Sequence, residues 1–191
     1  WHNHHSKLRG QSSNHMSNLL VQNIKHTNGT TAQTINSSGV VTNTQKPMWY
    51  GKLASDTTIT RGSIIGVTGL TADEIDPHSA FDGETYTVPS NMGGVYCIFG
   101  QVCADFSQVG NDGEDVELYI YKNGSSILGH KFKIGQIADS NRDLTEFTPT
   151  ITLLNNLSAT DTIQLKCYVV DSVAGNARIL ATSSCFGGYM V

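Results

Sequence analysis

Apolar residues recur at every second position in three separate stretches, and this alternation constrains the chain more than any other feature. Val116, Leu118 and Ile120 alternate with Glu117, Tyr119 and Tyr121. Leu128, His130, Phe132 and Ile134 alternate with Lys131 and Lys133, and Ile163, Leu165, Cys167 and Val169 alternate with Gln164, Lys166 and Tyr168. A period of two sends successive side chains to opposite faces, so each stretch predicts a strand with one core face and one wetter face. From Val95 to Phe106 both sets are apolar, which predicts one long central strand covered on two sides. No segment carries a helical apolar period behind a capping box, and Thr, Ser, Asn and Gly abound between the strands. The expectation is an all-β protein.

The bulk properties narrow its function. A chain of 191 residues holds one well-buried domain plus an extension. Its net charge is -4 and no Lys and Arg block lies along it, so the electrostatic footprint of a nucleic-acid binder is missing. No apolar run approaches the roughly 20 residues of a spanning helix, so no membrane insertion is expected, and no N-terminal segment reads as a secretion signal. Cys97, Cys103, Cys167 and Cys185 contain no C-x-x-C pair and are read as unpaired, buried thiols.

Three segments follow from composition. Residues 1–15, WHNHHSKLRGQSSNH, have almost no apolar content and read as a disordered leader or extension. Residues 16–45 hold short apolar pieces separated by the turn dipeptides Asn28-Gly29 and Ser38-Gly39, which predicts a β-arm whose strands need outside partners. Pro47 marks the junction, because the residue before a proline is biased to extended backbone, and residues 46–191 form the globular part. Within it Met48 to Leu53 is the first strand, Thr71 to Phe81 an acidic loop, and Asn123-Gly124 a hairpin turn.

GETYTVPSNMGGVYCIFGQVCADF (83–106), DVELYIYKNG (115–124), NNLSATD (155–161) and the closing SSCFGGYMV (183–191) together resemble the globular heads of complement C1q and the tumour-necrosis-factor-like jelly rolls. The resemblance spans about three quarters of the chain through strand order and scattered anchors. It implies a jelly-roll β-sandwich that forms homotrimers, and binding in place of catalysis. The arm, with NIKHTNGTTA followed by INSSGVV, is similar to N-terminal modules of tail-fibre and other structural proteins of tailed bacteriophages. Two departures stand out: no Gly-X-Y stalk precedes the head, and the loop 111–115 is not the family's text.

Candidate chemistry is sparse. His2 and His4 would point the same way on an extended strand, and in a trimer six imidazoles could surround an axial metal; an isolated pair without supporting groups is a poor site, and a His-containing leader is the plainer reading. Asn111, Asp112, Glu114 and Asp115, or Asp73, Glu74 and Asp76, offer oxygens without the calcium-loop spacing and read as solvated turns. His26, His78 and His130 are scattered, no G-x-S-x-G elbow exists, and Gly62 to Gly66 lacks a phosphate-reaching lysine, so neither an enzyme nor a cofactor is expected. Trp49, Tyr50, Tyr119, Tyr121, Tyr168 and Tyr189 exceed what one core needs and are the candidate trimer-interface residues.

The expectation is therefore a jelly-roll head with an extended N-terminal β-arm. It would serve as a trimeric structural or attachment protein of a tailed-phage virion, in a tail fibre, spike or capsid decoration. Its partners would be other virion proteins, with a host surface glycan or protein as a further partner. The competing class is a secreted C1q-like module binding glycans or proteins. A β-sandwich hydrolase would need convergent carboxylates that the sequence does not locate.

Overall fold

The structure is a computed structural model that describes residues 21–29, 31–43, 46–71, 75–107, 113–133, 145–171 and 177–191. His2 and His4, Asp73 and Glu74, Asn111 and Asp112, and Ile134 lie outside the described residues. The chain divides into two compact units, residues 1–45 and Lys46–Val191.

In the first unit, β1 (Asn23–Lys25), β2 (Thr31–Ile35) and β3 (Val41–Thr42) form an antiparallel three-stranded sheet in sequence order. Gly29 and Gly39, with φ of 90° and 78°, sit in the two connecting turns, where a residue free of the Cβ clash is required. Both turn dipeptides are where the sequence puts them.

The second unit, the head, is built from β4 (Met48–Lys52), β5 (Thr57–Thr58), β6 (Ile65–Gly66), β7 (Thr85–Thr87), β8 (Gly94–Gln101), β9 (Ala104–Asp105), β10 (Gly113–Lys122) and β11 (Ser125–Lys133). It continues through β12 (Glu146–Phe147), β13 (Thr150–Leu157), β14 (Thr162–Asp171), β15 (Arg178–Ile179) and β16 (Cys185–Met190). One sheet has the order β13-β8-β16-β4; a second has β11-β10-β14-β6, with β7 also paired to β14; short strands complete a third, β12-β9-β15-β5. All these pairings are antiparallel. The alternating stretches of β10 and β14 bury Val116, Leu118, Ile120, Ile163, Leu165, Cys167 and Val169 as predicted. Opposite them Tyr96, Ile98, Ile151 and Phe186 fill the core from the first sheet. A Cβ on Gly100 of β8 would lie 2.6 Å from Leu165 Cδ1 of β14, which fixes how closely the two sheets pack there.

The β10–β11 hairpin turns at Asn123-Gly124, both at positive φ (51° and 78°), which matches the right-handed twist of the flanking strands. Asn123 also ties the neighbouring turn: its Oδ1 accepts from the Thr162 amide at 2.8 Å, and its Nδ2 donates to Asp161 Oδ1 at 2.8 Å. Lys122 completes the knot with an ion pair to Asp161 at 2.8 Å.

Two expectations are corrected. The stretch Val95 to Phe106 is not one strand: β8 ends at Gln101 and β9 pairs in a different sheet. The crossing occurs at Val102 and Cys103, whose amides bond to the Pro149 carbonyl and to Ser184 Oγ instead of a ladder partner. Apolar residues on both faces therefore reflect a core on one side and an uncovered sheet face on the other. Second, only Cys103 and Cys167 are buried; Cys97 and Cys185 are half-buried, because they point away from the core, and all four are unpaired.

Candidate functional site

Among the described residues of the head, the outer face of sheet β13-β8-β16-β4 gathers most of the exposed large apolar side chains. Register places them in rows, since cross-strand partners share a face. Leu154, Cys97, Tyr189 and Met48 form one row; Thr152, Phe99, Gly187 and Tyr50 the next; Thr150, Gln101, Cys185 and Lys52 a third. Leu154 is 64% exposed and Tyr189 48%, with Val95 and Val191 also open to solvent. Lone exposed apolar residues are ordinary, but a contiguous set on one sheet face marks an interaction surface.

The Gly187-Gly188 pair in β16 shapes both sides of this sheet. On the outer side, a Cβ at Gly187 would lie 2.7 Å from Phe99 Cζ, so glycine is what lets the Phe99 ring lie across the strand toward Tyr50, 6.2 Å away. On the inner side, a Cβ at Gly188 would collide with the Trp49 indole. Trp49 therefore lies flat in the core, 1% exposed, stacked on Tyr86 at 3.7 Å between centroids and edge-on to Phe186. Such ring pairs contribute about 0.5–1.5 kcal/mol beyond the area they bury.

Along its edge the face becomes a groove of about 580 Å³, lined almost wholly by apolar atoms of Pro47, Met48, Tyr50, Ile75, Phe99, Tyr189 and Val191, with Lys46 contributing to the wall. The Cys97 thiol beside the Tyr189 phenol holds that phenol above its ordinary range. Burial pushes the Cys185 thiol up, against the opposing pull of Tyr50 and Lys52. Lys52 sits over the Tyr50 ring at 5.8 Å and, with Lys46, puts positive charge at this face's rim.

The six aromatic interface candidates thus fall in three places. Trp49 is corrected: buried in its own core, it has no surface left to give a partner. Tyr50 and Tyr189 lie on the uncovered face just described. Tyr119, Tyr121 and Tyr168 lie half-buried on the outer face of the other sheet, where register pairs Tyr168 with Glu117 and Tyr119 with Lys166. There the Tyr119 hydroxyl donates to Glu117, Lys131 bridges Asp115 and Glu117 at 2.8 and 2.6 Å, and Lys166 caps the Tyr121 ring at 4.5 Å. Glu117, bonded to the Tyr119 hydroxyl, pushes that phenol up to about 12. This second face carries a network of charged and polar contacts and is not an apolar patch.

Residues the sequence reading passed over complete the first face. Leu154 and Val95 are exposed where strands bury their other side. The signal was present in Leu153-Leu154, since consecutive apolar residues in a strand put one on each face.

Of the residues considered for chemistry, Asp115 is paired with Lys131, Asp76 Oδ2 accepts the Phe81 amide at 2.8 Å, and His130 is exposed on β11 beside Phe132. Among the described residues no group of three His, Cys, Asp or Glu side chains could hold a metal ion. Asp105 is buried and accepts from the partly exposed Arg178, whose Nη2 and Nε donate to one carboxylate oxygen at 2.6 and 3.1 Å. Burial pushes the Asp105 carboxyl up, but the bonds from Ser107 and Arg178 outweigh it and leave it below its ordinary range. This pair joins β9 to β15 and is structural.

No family model matches the chain, and no curated protein matches it by sequence. Solved structures do match. The globular domain of zebrafish complement 1qA aligns over 77% of this chain and 98% of its own length, with TM-score 0.54 and 15% identity. Murine APRIL aligns over 77% of this chain and 100% of its own, with TM-score 0.52 and 8% identity. Eiger TNF from S. frugiperda aligns over 76% and 92%, with TM-score 0.54 and 10% identity. The fold is the C1q/TNF-like jelly roll. At these identities the likeness fixes the jelly roll's backbone path and leaves its surface chemistry to be read from this chain alone. The three neighbours are TNF-family and C1q domains and not enzymes by name.

Proposed function

We propose that the protein is a homotrimeric binding and attachment component whose jelly-roll head closes on copies of itself through the outer face of sheet β13-β8-β16-β4. The observation that carries this reading is the row of exposed Leu154, Tyr189 and Val95 continuing into the apolar groove at Pro47 and Ile75. Left in water, this surface is a solubility liability; closed on itself, it becomes the drive for assembly. Its composition fits an interface core, rich in aromatic and Met side chains and poor in charge.

The setting we propose is a tailed-phage virion, as a tail fibre, spike or capsid decoration. The residues 16–45 would hold the particle and the head would face outward toward a host glycan or protein. The wording of the arm, NIKHTNGTTA and INSSGVV, supports this setting. A function in binding fits a site built of apolar rows.

Sedimentation and light scattering on the full chain test the assembly, with three times the chain mass expected at micromolar concentration. A monodisperse monomer overturns it. A protein inventory of purified particles tests the setting: copy numbers in multiples of three are expected. Absence from particles, together with glycan or protein capture by the secreted chain, would instead establish the C1q-like recognition module.

A further inference from the structure

We propose that the small N-terminal sheet is one third of a shared stem, its apolar face covered by the same sheet of two further copies of this chain; the inference rests on trimerisation of the head. Pairing of Ile24 with Gln33 and of Ile35 with Val41 puts these four side chains on one face, because cross-strand partners and alternate residues along β2 share a side. The other face holds Asn23, Thr34 and Thr42, and it is already satisfied: Thr34 Oγ1 donates to Asn23 Oδ1 at 3.1 Å, and Thr42 Oγ1 donates to the Thr34 carbonyl at 3.3 Å. The sheet is therefore amphipathic, with a polar side finished within itself and an apolar side left open. Ile24 is 47% exposed and Val41 54%. Three strands of three, five and two residues need a packed apolar face to persist in water, and nothing within the sheet supplies one.

Two features favour copies of the chain as the cover. First, Ile24, Gln33, Ile35 and Val41 are all neutral, and Lys25, paired with Thr31 across a register irregularity, is the one Lys, Arg, Asp or Glu among the described residues of this sheet, so bringing identical faces together meets little like-charge repulsion. Second, the chain enters the head at Lys46 and Pro47, and both line the apolar groove of the head's uncovered face. Copies assembled on that face start their arms beside the same groove. Only two residues of chain, Thr44 and Gln45, separate Lys46 from Asn43, three Cα steps or about 10 Å at full extension. Tethered this closely, the arms meet at an effective concentration in the millimolar range. A contact too weak to hold free segments together is then populated. Closing the apolar faces inward leaves the polar faces and the sheet edges outward, available for the particle.

The test places a photoreactive benzoylphenylalanine at position 33 of the full chain, in the middle of the apolar face, and assembles an equal mixture of normal and heavy-nitrogen-labelled copies. After irradiation, cross-linked peptides are sorted by mass, and the oligomer mass is measured on the same sample. The expected result is arm-to-arm peptides carrying both isotopes, with a several-fold loss of that product when Ile24→Asn and Val41→Asn are introduced and the oligomer mass stays trimeric. Cross-links confined to a single copy, or none, with a trimeric mass overturn the stem and leave the head assembly standing. A monomeric mass overturns both. The same cross-link yield with and without the two Asn substitutions also overturns the stem, since the contact would then not involve this face.

Discussion

Replacing Leu154 with Asp tests the assembly of the head at one of the most exposed apolar side chains of this face. Leu154 is 64% exposed in the single chain, so its loss removes little from the fold. Fully burying a leucine side chain is worth about 1.5–3 kcal/mol, so covering the exposed two-thirds contributes about 1–2 kcal/mol for each copy and about 3–6 kcal/mol for a trimer. At about 1.4 kcal/mol per tenfold, losing that contribution weakens assembly by about a hundredfold to ten-thousandfold. A carboxylate pressed against the Cys97 and Tyr189 row adds a desolvation cost in the same direction. Sedimentation velocity over a dilution series reads the assembly constant, and near-ultraviolet circular dichroism checks that the head remains folded. The expected outcome is a folded monomer at concentrations where the unaltered chain is trimeric. Trp49→Ala is the contrast: it empties a core site, costs about 3–5 kcal/mol of folding stability, and lowers the melting temperature at every concentration. If Leu154→Asp leaves the assembly constant unchanged, this face is not the interface and the reasoning from exposed rows fails.

Gly188→Ala should lower stability by about 1–3 kcal/mol in chemical denaturation, because the rigid Trp49 ring has no room to give way; a neutral result would refute the proposed role of the glycine pair. The bond from Lys122, aided by Asn123 and the Ser158 amide, holds the Asp161 carboxyl at about 2, well below its ordinary 3.8. A depressed carboxylate stabilises the fold fully above its unfolded value and loses that contribution as pH falls through the folded one. Thermal melts should therefore show Asp161→Asn less stable than the unaltered chain near neutrality, with the gap closing between about pH 4 and pH 2; a gap independent of pH would contradict the assignment. Thiol titration under native conditions should separate two classes: Cys103 and Cys167 react slowly, since burial raises both thiols and pushes Cys167 up to about 12. Cys97 and Cys185 should be reactive in the Leu154→Asp monomer and shielded in the trimer; equal reactivity in the two states would count against this face as the interface.

The sequence by itself determined the strand-rich character, the core positions of β10 and β14 and the tight turns, whereas on β11 the alternation misled: His130 is exposed and Leu128 and Phe132 are only half-buried. Those features are local: period two follows from the pleat, and Asn-Gly adopts the positive φ that a two-residue hairpin demands. Val116, Leu118 and Ile120, with Ile163, Leu165 and Cys167, are buried because their spacing allowed no other face. Tertiary structure decided which side of the apolar strands met a core. Val95, Cys97 and Phe99 have the same character as Tyr96 and Ile98, and only the placement of the second sheet made one set interior and the other exposed. It also separated the aromatics, because Trp49 reached the core only through the space opened by Gly188 on a strand 139 residues later in the chain. Burial depends on what packs opposite a side chain, and for β8 and β4 that partner is supplied by strands far away in sequence.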